Sequence, residues 1–342
     1  MLNPVQLGNS GLQVSQLCLG TMNFGVPGQG HQGDWTLGID ESRKIFRAAI
    51  DNGLFYFDCA DFYGIGACEE MVGNLLREML PREEYVLTTK VAMPMGSNPN
   101  MSGLSRKHII EGVNRSLQRL GLDYVDQLII HRHPHGIPWH IAVPIEETME
   151  ALNDLVKAGK VMYLGGSSIF AWQFAELQMT AERYGWAKFI SMQNHYNLIY
   201  REEEREMNPY CEKTGVGLTP WSPLARGILA GAYQGSFESG STSRSTGSDR
   251  ERSESLYLGD NDFQIAGRLV ETANKYGKTP AQIAIAWLLS KPAVSAPVVG
   301  VSKVSQMLDL VAATEISLEG EDIHYLEELY QPLDNLLSLG MS

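Results

Sequence analysis

Apolar and polar positions along the chain follow two alternating periods. Short runs rich in β-branched and aromatic residues recur at 17–20 (LCLG), 54–58 (LFYFD), 85–90 (YVLTTK), 125–131 (VDQLIIH), 161–166 (VMYLGG), 189–193 (FISMQ), 216–221 (VGLTPW) and 296–300 (APVVG). Runs of this length between turn residues predict buried strands. Between them, apolar residues return every three to four positions, which predicts helices over 41–52, 67–79, 105–120, 145–158, 170–184, 201–213, 262–290 and 303–313. In the fourth of these, Ile145, Met149, Leu152 and Val156 share one face and Gly159 ends it. Ser105 and Gly121 bracket the third as cap and terminating glycine.

The strand–helix unit repeats eight times, which predicts a (β/α)8 TIM barrel, with residues 1–342 forming one domain. An open doubly wound sheet would carry an early glycine-rich turn, and no GxGxxG follows the first strand. Residues 4–16, PVQLGNSGLQVSQ, read as an N-terminal β-hairpin plugging the barrel bottom. The stretch 234–261 is rich in Ser, Gly and charge, and is expected to be a mobile loop over the mouth. The tail from Glu321 onward predicts an extra C-terminal helix.

Composition narrows the function. A 342-residue chain that is 44% hydrophobic can bury a large core. With 27 basic against 40 acidic residues the net charge is −13, and no long Lys/Arg run interrupts it. Nucleic acid and anionic membrane are therefore poor partners. No basic segment followed by an apolar run opens the chain, and the apolar stretches are too short to span a bilayer. Cys18, Cys59, Cys68 and Cys211 form no CxxC pair, which fits reduced thiols in a cytoplasmic protein. Oligomeric state is not set by any of these features.

Active sites of such barrels stand at the C-terminal ends of the strands. Three adjacent predicted strands end in ionisable residues: Asp58, Lys90 and His131. Tyr63 follows the first of them in FDCADFYG. A phenol with an ordinary pKa near 10 is a poor proton donor near neutrality. An adjacent ammonium lowers that pKa, a carboxylate holds the ammonium in place, and an imidazole can bind a carbonyl oxygen beside the phenol. The group suits protonation of an oxygen while its carbon is attacked. His131 opens a stretch, HRHPHGIPWH, that also holds His133, His135 and His140. An HxH spacing raises the rival reading of a metal-dependent hydrolase. The other strand ends supply few ligands, and Lys90 opposes a cation there, so no metal is expected.

These motifs resemble the aldo-keto reductase family: FDCADFYG, LTTK and LIIHR match its tetrad in order and strand placement. GGSS, SMQNHYN, PWSPLARG and PVVGVSK match as well, so the resemblance runs over nearly the whole chain. The branch it is most similar to holds potassium channel β-subunits and bacterial and fungal reductases, some of which reduce polyketide aldehydes. The resemblance implies an NADPH-dependent reductase of a small-molecule carbonyl substrate, an aldehyde, ketone or hemiacetal. It assigns catalysis to Asp58, Tyr63, Lys90 and His131. It places Thr21, Met22 and Asp58 near the nicotinamide ribose, Ser167, Ser168 and Gln193 at its amide, and Trp221 against its ring. Ser222, Leu224, Arg226 and Gly227 would meet the pyrophosphate; Gly300, Ser302, Lys303, Gln306 and Asp309 belong to the adenosine end. A lysine and a hydroxyl there suit a 2′-phosphate, hence NADP rather than NAD. Ser168 and Leu310 depart from the asparagines of many members. A cofactor-binding regulatory subunit with little turnover is the second rival. Phe24, Trp35 and Trp139, in loops after the first and fourth barrel strands, are candidate substrate contacts together with Tyr63 and His131.

Overall fold

The computed structural model describes residues 2–134, 142–233, 236, 250–257, 259 and 261–332. A two-stranded antiparallel hairpin comes first, β1 (Pro4–Gln6) against β2 (Gln13–Ser15). Eight parallel strands follow: β3 (Cys18–Gly20), β4 (Tyr56–Asp58), β5 (Val86–Val91), β6 (Val125–Ile130), β7 (Val161–Ser167), β8 (Phe189–Gln193), β9 (Gly217–Leu218) and β10 (Val298–Val299). They pair in the order β10-β3-β4-β5-β6-β7-β8-β9. The two outer members also meet, since Leu218 bridges Val294 in parallel and Val298 N–H donates to the Pro220 carbonyl at 2.9 Å. The sheet thus curls into the expected (β/α)8 barrel.

Helices alternate with the strands: α1 (Ile39–Asp51), α2 (Ala67–Met79), α3 (Arg106–Leu120), α4 (Ile145–Lys157), α5 (Ala171–Tyr184) and α6 (Met207–Thr214). After β9 come α7 (Arg250–Leu256), α8 (Asp262–Tyr276) and α9 (Pro280–Leu289); α10 (Val304–Ala313) and α11 (Gly320–Glu327) follow β10. Two long predicted helices are broken, for reasons local to the chain. Pro209 cannot extend a helix backward, so 201–213 becomes one 3-10 turn at Glu202–Glu204 and then α6. The 262–290 region divides where Gly277 takes φ +63° and Thr279 caps α9, its hydroxyl accepting from Gln282 N–H at 3.2 Å. Of the 234–261 stretch, expected to be a mobile loop, residues 234–235, 237–249, 258 and 260 lie outside the described residues. Within it α7 forms, Ser253 is fully buried and Tyr257 is 3% exposed. Helical spacing lets a polar segment bury the few side chains on one face.

Strand alternation divides the barrel wall into two faces. Leu87, Leu128, Ile130, Leu164 and Met192 are buried in the main apolar cluster beneath the helices. The intervening residues point inward, and there the interior is polar. Tyr56 Oη donates to Gln127 Oε1 at 3.1 Å, Thr88 Oγ1 reaches the same oxygen at 3.2 Å, and Gln127 Nε2 donates to Ser191 Oγ at 2.8 Å. Two residues further along the same strands and the same face lie Asp58, Lys90, Ile129 and Gln193. The period of two therefore carries the interior polarity up to the mouth.

The hairpin closes the opposite end. Leu7 and Val14 are fully buried in a second cluster with Cys18, Tyr56, Val86 and Ala296, which lie at or beside strand starts. Gly8 has φ +55°, and a Cβ there would stand 2.5 Å from the Ile190 carbonyl oxygen. The tip can approach only as glycine.

Gly73 lets α2 approach α3, because a Cβ at that position would overlap the Leu120 carbonyl. Alanine gains about 1 kcal/mol of helix propensity over glycine. Overpacking against a backbone atom, which no rotamer relieves, costs about 1–3 kcal/mol. Gly73→Ala is thus expected to lower the urea midpoint despite its better propensity; an unchanged or higher midpoint would refute this packing.

Candidate active site

Asp58 is the last residue of β4, and its neighbours in register are Gly20 and Thr88. It is 2% exposed. An ionised carboxylate at that depth requires partners, and both oxygens have one. Oδ2 is 2.6 Å from Lys90 Nζ, while Oδ1 accepts from Gln193 Nε2 at 2.9 Å. Lys90, wholly buried on β5, spends its three N–H groups on Asp58, on the Cys59 carbonyl at 2.9 Å and on Tyr63 Oη at 3.3 Å. An ammonium has three donors, so its direction is fully determined.

Tyr63 reaches this point because the chain turns sharply after β4. Its N–H donates to the Ala60 carbonyl at 3.2 Å, and Gly64, Ile65 and Gly66 take φ of +58°, +50° and +94° before α2 begins. Gln32, 2% exposed, fixes that turn from outside, and a Cβ on Gly64 would collide with it. Its Nε2 donates to the Met22 carbonyl at 3.0 Å and the Phe24 carbonyl at 2.9 Å. These bonds hold Gln32 within the loop after β3, where it packs against the turn that carries Tyr63. His131 follows β6, its N–H bonded to the Val91 carbonyl at 2.9 Å. Its ring meets Tyr63 edge-on at 6.1 Å between centroids. The four residues are brought together.

The electrostatics correct one expectation. Burial pushes the Tyr63 phenol up, Lys90 pulls it down and Asp58 pushes it up again, leaving it at about 12. Lys90 acts in the expected direction without outweighing burial. Burial opposes the charge on Lys90 itself, but Asp58 and Tyr63 outweigh it and hold its pKa above the ordinary lysine value. The site contains an ammonium and a neutral phenol.

A second group lies around Trp221. Its indole Nε1 donates to Ser168 Oγ at 3.1 Å, and Ser168 N–H donates to Asn194 Oδ1 at 2.8 Å. Ser167, 2% exposed, ends β7 beside Gln193 in register. Of the six non-glycine residues with positive φ among the described residues, four stand here: Ser168 (+51°), Ser222 (+54°), Ala225 (+47°) and Arg226 (+54°), with Gly227 at +107°. Each costs on the order of 1 kcal/mol and persists only where the surroundings enforce it. Leu224 accepts from Gly227 N–H at 2.9 Å within this turn, and Arg226 Nε donates to Ser253 Oγ at 3.1 Å. Thr21 is fully buried, its N–H and hydroxyl both donating to the Asp58 carbonyl, at 3.0 and 2.8 Å.

At the far edge, Gly300 is exposed after β10 and Lys303 is exposed before α10. Ser302 N–H, Ser302 Oγ and Lys303 N–H converge on Gln306 Oε1, at 2.8, 3.1 and 3.1 Å. Asp309 accepts from the Thr279 hydroxyl at 2.8 Å. Of the expected substrate contacts, Phe24 is fully buried, its ring against Phe46 at 5.5 Å. Apolar packing toward α1 outcompetes the mouth. Trp35 is 7% exposed, and Trp139 lies outside the described residues, as do His135 and His140. The mouth instead presents His31 stacked on Phe62 at 4.7 Å and 5.9 Å from Tyr63, with Trp172, 61% exposed, against His133 at 6.3 Å. His131 and His133 thus engage different neighbours, and among the described residues no group of three or more His, Cys, Asp or Glu could hold a metal. No helix among them is long and apolar enough to cross a membrane. The sequence reading missed His31, Phe62, Gln32 and Trp172; the aromatic neighbour of Tyr63 was the one signal available.

A parallel (β/α)8 barrel with a buried lysine between an acid and a phenol, and a histidine at the next strand end, defines an oxidoreductase acting on carbonyl or alcohol groups. The chain belongs to the aldo/keto reductase family, whose model matches residues 16–331. It is 45% identical to a Schizosaccharomyces pombe protein provisionally named an aryl-alcohol dehydrogenase, over 96% of this chain and 95% of that one. It is 42% identical to the versiconal hemiacetal acetate reductase of Aspergillus parasiticus over 96% of each. An aldo-keto reductase of Metarhizium robertsii is 41% identical over 96% of this chain and 91% of its own. The family generally uses NAD(P)H.

Removing one member of a buried ion pair leaves the other charge without compensation, at a cost of about 3–5 kcal/mol. Lys90→Met is expected to lower unfolding stability by that amount. Lys90→Met combined with Asp58→Asn is expected to regain part of it, as guanidinium melts of both variants would measure. A double variant less stable than Lys90→Met would contradict the pairing.

Proposed function

We propose that the protein is an NADPH-dependent reductase of aldehydes, with aromatic and hemiacetal-forming substrates as its class. The observation that carries this reading is the contact of Lys90 Nζ with both Asp58 and Tyr63 Oη, beside the His131 ring. When bound, the nicotinamide supplies the hydride that the carbonyl carbon receives. The residues of the chain do the rest. His131 orients the carbonyl oxygen toward Tyr63. The phenol at about 12 is protonated at working pH and donates its proton to that oxygen. Lys90, held charged by Asp58, stabilises the phenolate that remains.

The residues present fit a dinucleotide. Trp221 offers a ring, Ser222, Ala225, Arg226 and Gly227 take left-handed backbone conformations just after it, and three donors collect on Gln306 beside Lys303. A 2′-phosphate can take over those donors and gain a charge-assisted contact from Lys303. This supports NADPH over NADH. For the substrate, the His31–Phe62 stack offers a flat aromatic wall beside Tyr63, and Trp172, exposed against His133, offers a second aromatic face. The names of the S. pombe and A. parasiticus relatives agree with that class.

Tyr63→Phe is expected to lower kcat for an aromatic aldehyde by about 10²- to 10⁴-fold, with NADPH affinity nearly unchanged. Wild-type turnover in that variant would overturn the mechanism. Lys303→Met is expected to raise the Kd for NADPH about tenfold while sparing NADH. Equal weakening of both cofactors by calorimetry would remove the 2′-phosphate assignment.

A further inference from the structure

Trp221 can receive a planar group on only one face, because the other is already covered. His195 lies against it with ring centroids 4.2 Å apart and planes inclined by 11°. Tyr200 covers the opposite face of His195 at 4.1 Å and 16°. The result is a three-ring stack, Tyr200–His195–Trp221. The backbone sets its spacing: His195 and Trp221 form a parallel bridge, and Trp221 N–H donates to the Asn194 carbonyl at 2.9 Å.

The edge of the imidazole is engaged as well. His195 Nε2 is 2.9 Å from Tyr257 Oη, whose ring meets it edge-on at 5.5 Å. Asn197 Nδ2 donates to the Ser222 carbonyl at 2.9 Å and lies 3.3 Å from both Tyr257 Oη and His195 Nε2. Burial and the nearby Arg226 lower His195 to about 3, so the ring is neutral. Asn197 Nδ2 donates to Tyr257 Oη at 3.3 Å, so the amide and the Nε2–Oη bond meet at one hydroxyl. Tyr257 follows α7, and four residues earlier Ser253 accepts from Arg226 Nε. Positions i and i+4 share a face of a helical segment. One short segment therefore braces both the stack behind Trp221 and the arginine of the left-handed turn.

We propose that His195 is a positioning residue: it fixes the plane and depth of Trp221 for the nicotinamide, and the Tyr257 hydroxyl fixes His195. The proposal rests on the assignment of Trp221 to the nicotinamide made above. The division of labour is specific. Stacking needs any flat ring at 195, whereas the link to the segment after β9 needs the Nε2–Oη bond.

The test is calorimetric binding of NADP+ to the full-length wild type and to His195→Phe, Tyr257→Phe, the double variant and His195→Ala. Both single phenylalanine variants lose the Nε2–Oη bond, together with the 3.3 Å Asn197 contact at their own end of it, and keep their rings. Each is expected to weaken NADP+ about five- to tenfold. The double variant is expected to be no worse than either single, as two residues sharing one interaction require. His195→Ala, which also loses the stack, is expected to bind more weakly than His195→Phe. Residues that merely fill space give either no effect or effects that multiply. Binding within about twofold of wild type in either phenylalanine variant, or multiplied losses in the double, would overturn the proposal alone. Absence of NADP+ binding by the wild type would overturn it together with the cofactor assignment.

Discussion

The arrangement of the mouth depends on one buried ammonium. Lys90 has no solvent exposure, and taking a charge out of water costs several kcal/mol unless every donor is answered. Its three acceptors, Asp58, Cys59 and Tyr63, all lie on the segment that leaves β4. That segment must turn back so that a carboxylate, a carbonyl and a phenol face one nitrogen. The left-handed backbone at Gly64 and Ile65 follows from this demand. From across the barrel, Gln193 holds the second oxygen of Asp58 and so prevents the carboxylate from rotating away. A surface lysine would impose none of this, because water would answer its donors.

The barrel makes that demand affordable by repetition. Tyr56, Thr88, Gln127 and Ser191 form a hydrogen-bonded polar band inside, and a step of two residues along β4, β5 and β8 reaches Asp58, Lys90 and Gln193. Buried charge at the mouth therefore continues a polar interior and does not interrupt an apolar one. The other half of the mouth is built on a different principle. There the strands β9 and β10 are only two residues long, and side-chain bonds to backbone carry the geometry. Asn194 and Asn197 each tie a loop to its neighbour.

This difference explains what could be read from sequence. Strand ends were legible because a period of two puts Asp58, Lys90 and His131 at countable positions after apolar runs. The hairpin was legible from GNSG between alternating residues. The breaks at Pro209 and Gly277 were visible as residues but were overruled by the apolar period on either side. The loops were not legible, since their shape follows from contacts between segments far apart in the chain. Phe24 packs onto Phe46, while His31 reaches Phe62; no local pattern separates these outcomes. Likewise, α7 follows from burying Ser253 and Tyr257 against Arg226 and His195, which composition alone could not indicate.

The state of Tyr63 bears on what Lys90 is for. If the lysine served to bring the phenol near neutrality in the resting site, burial would have to be weaker than it is. With the phenol at about 12, the resting proton stays on Tyr63, which is the form an acid must have before it gives the proton to a carbonyl oxygen. Under the proposed mechanism the ammonium has its largest effect after the transfer, when the charge it faces is a phenolate 3.3 Å away. An interaction that strengthens as the proton leaves lowers the barrier, whereas one equally strong beforehand would not. Asp58 opposes phenolate formation on its own, yet without it Lys90 would lose the partner that keeps it charged at full burial. In the proposed mechanism Asp58 thus acts through the ammonium it sustains, which lies 3.3 Å from the oxygen where the charge develops.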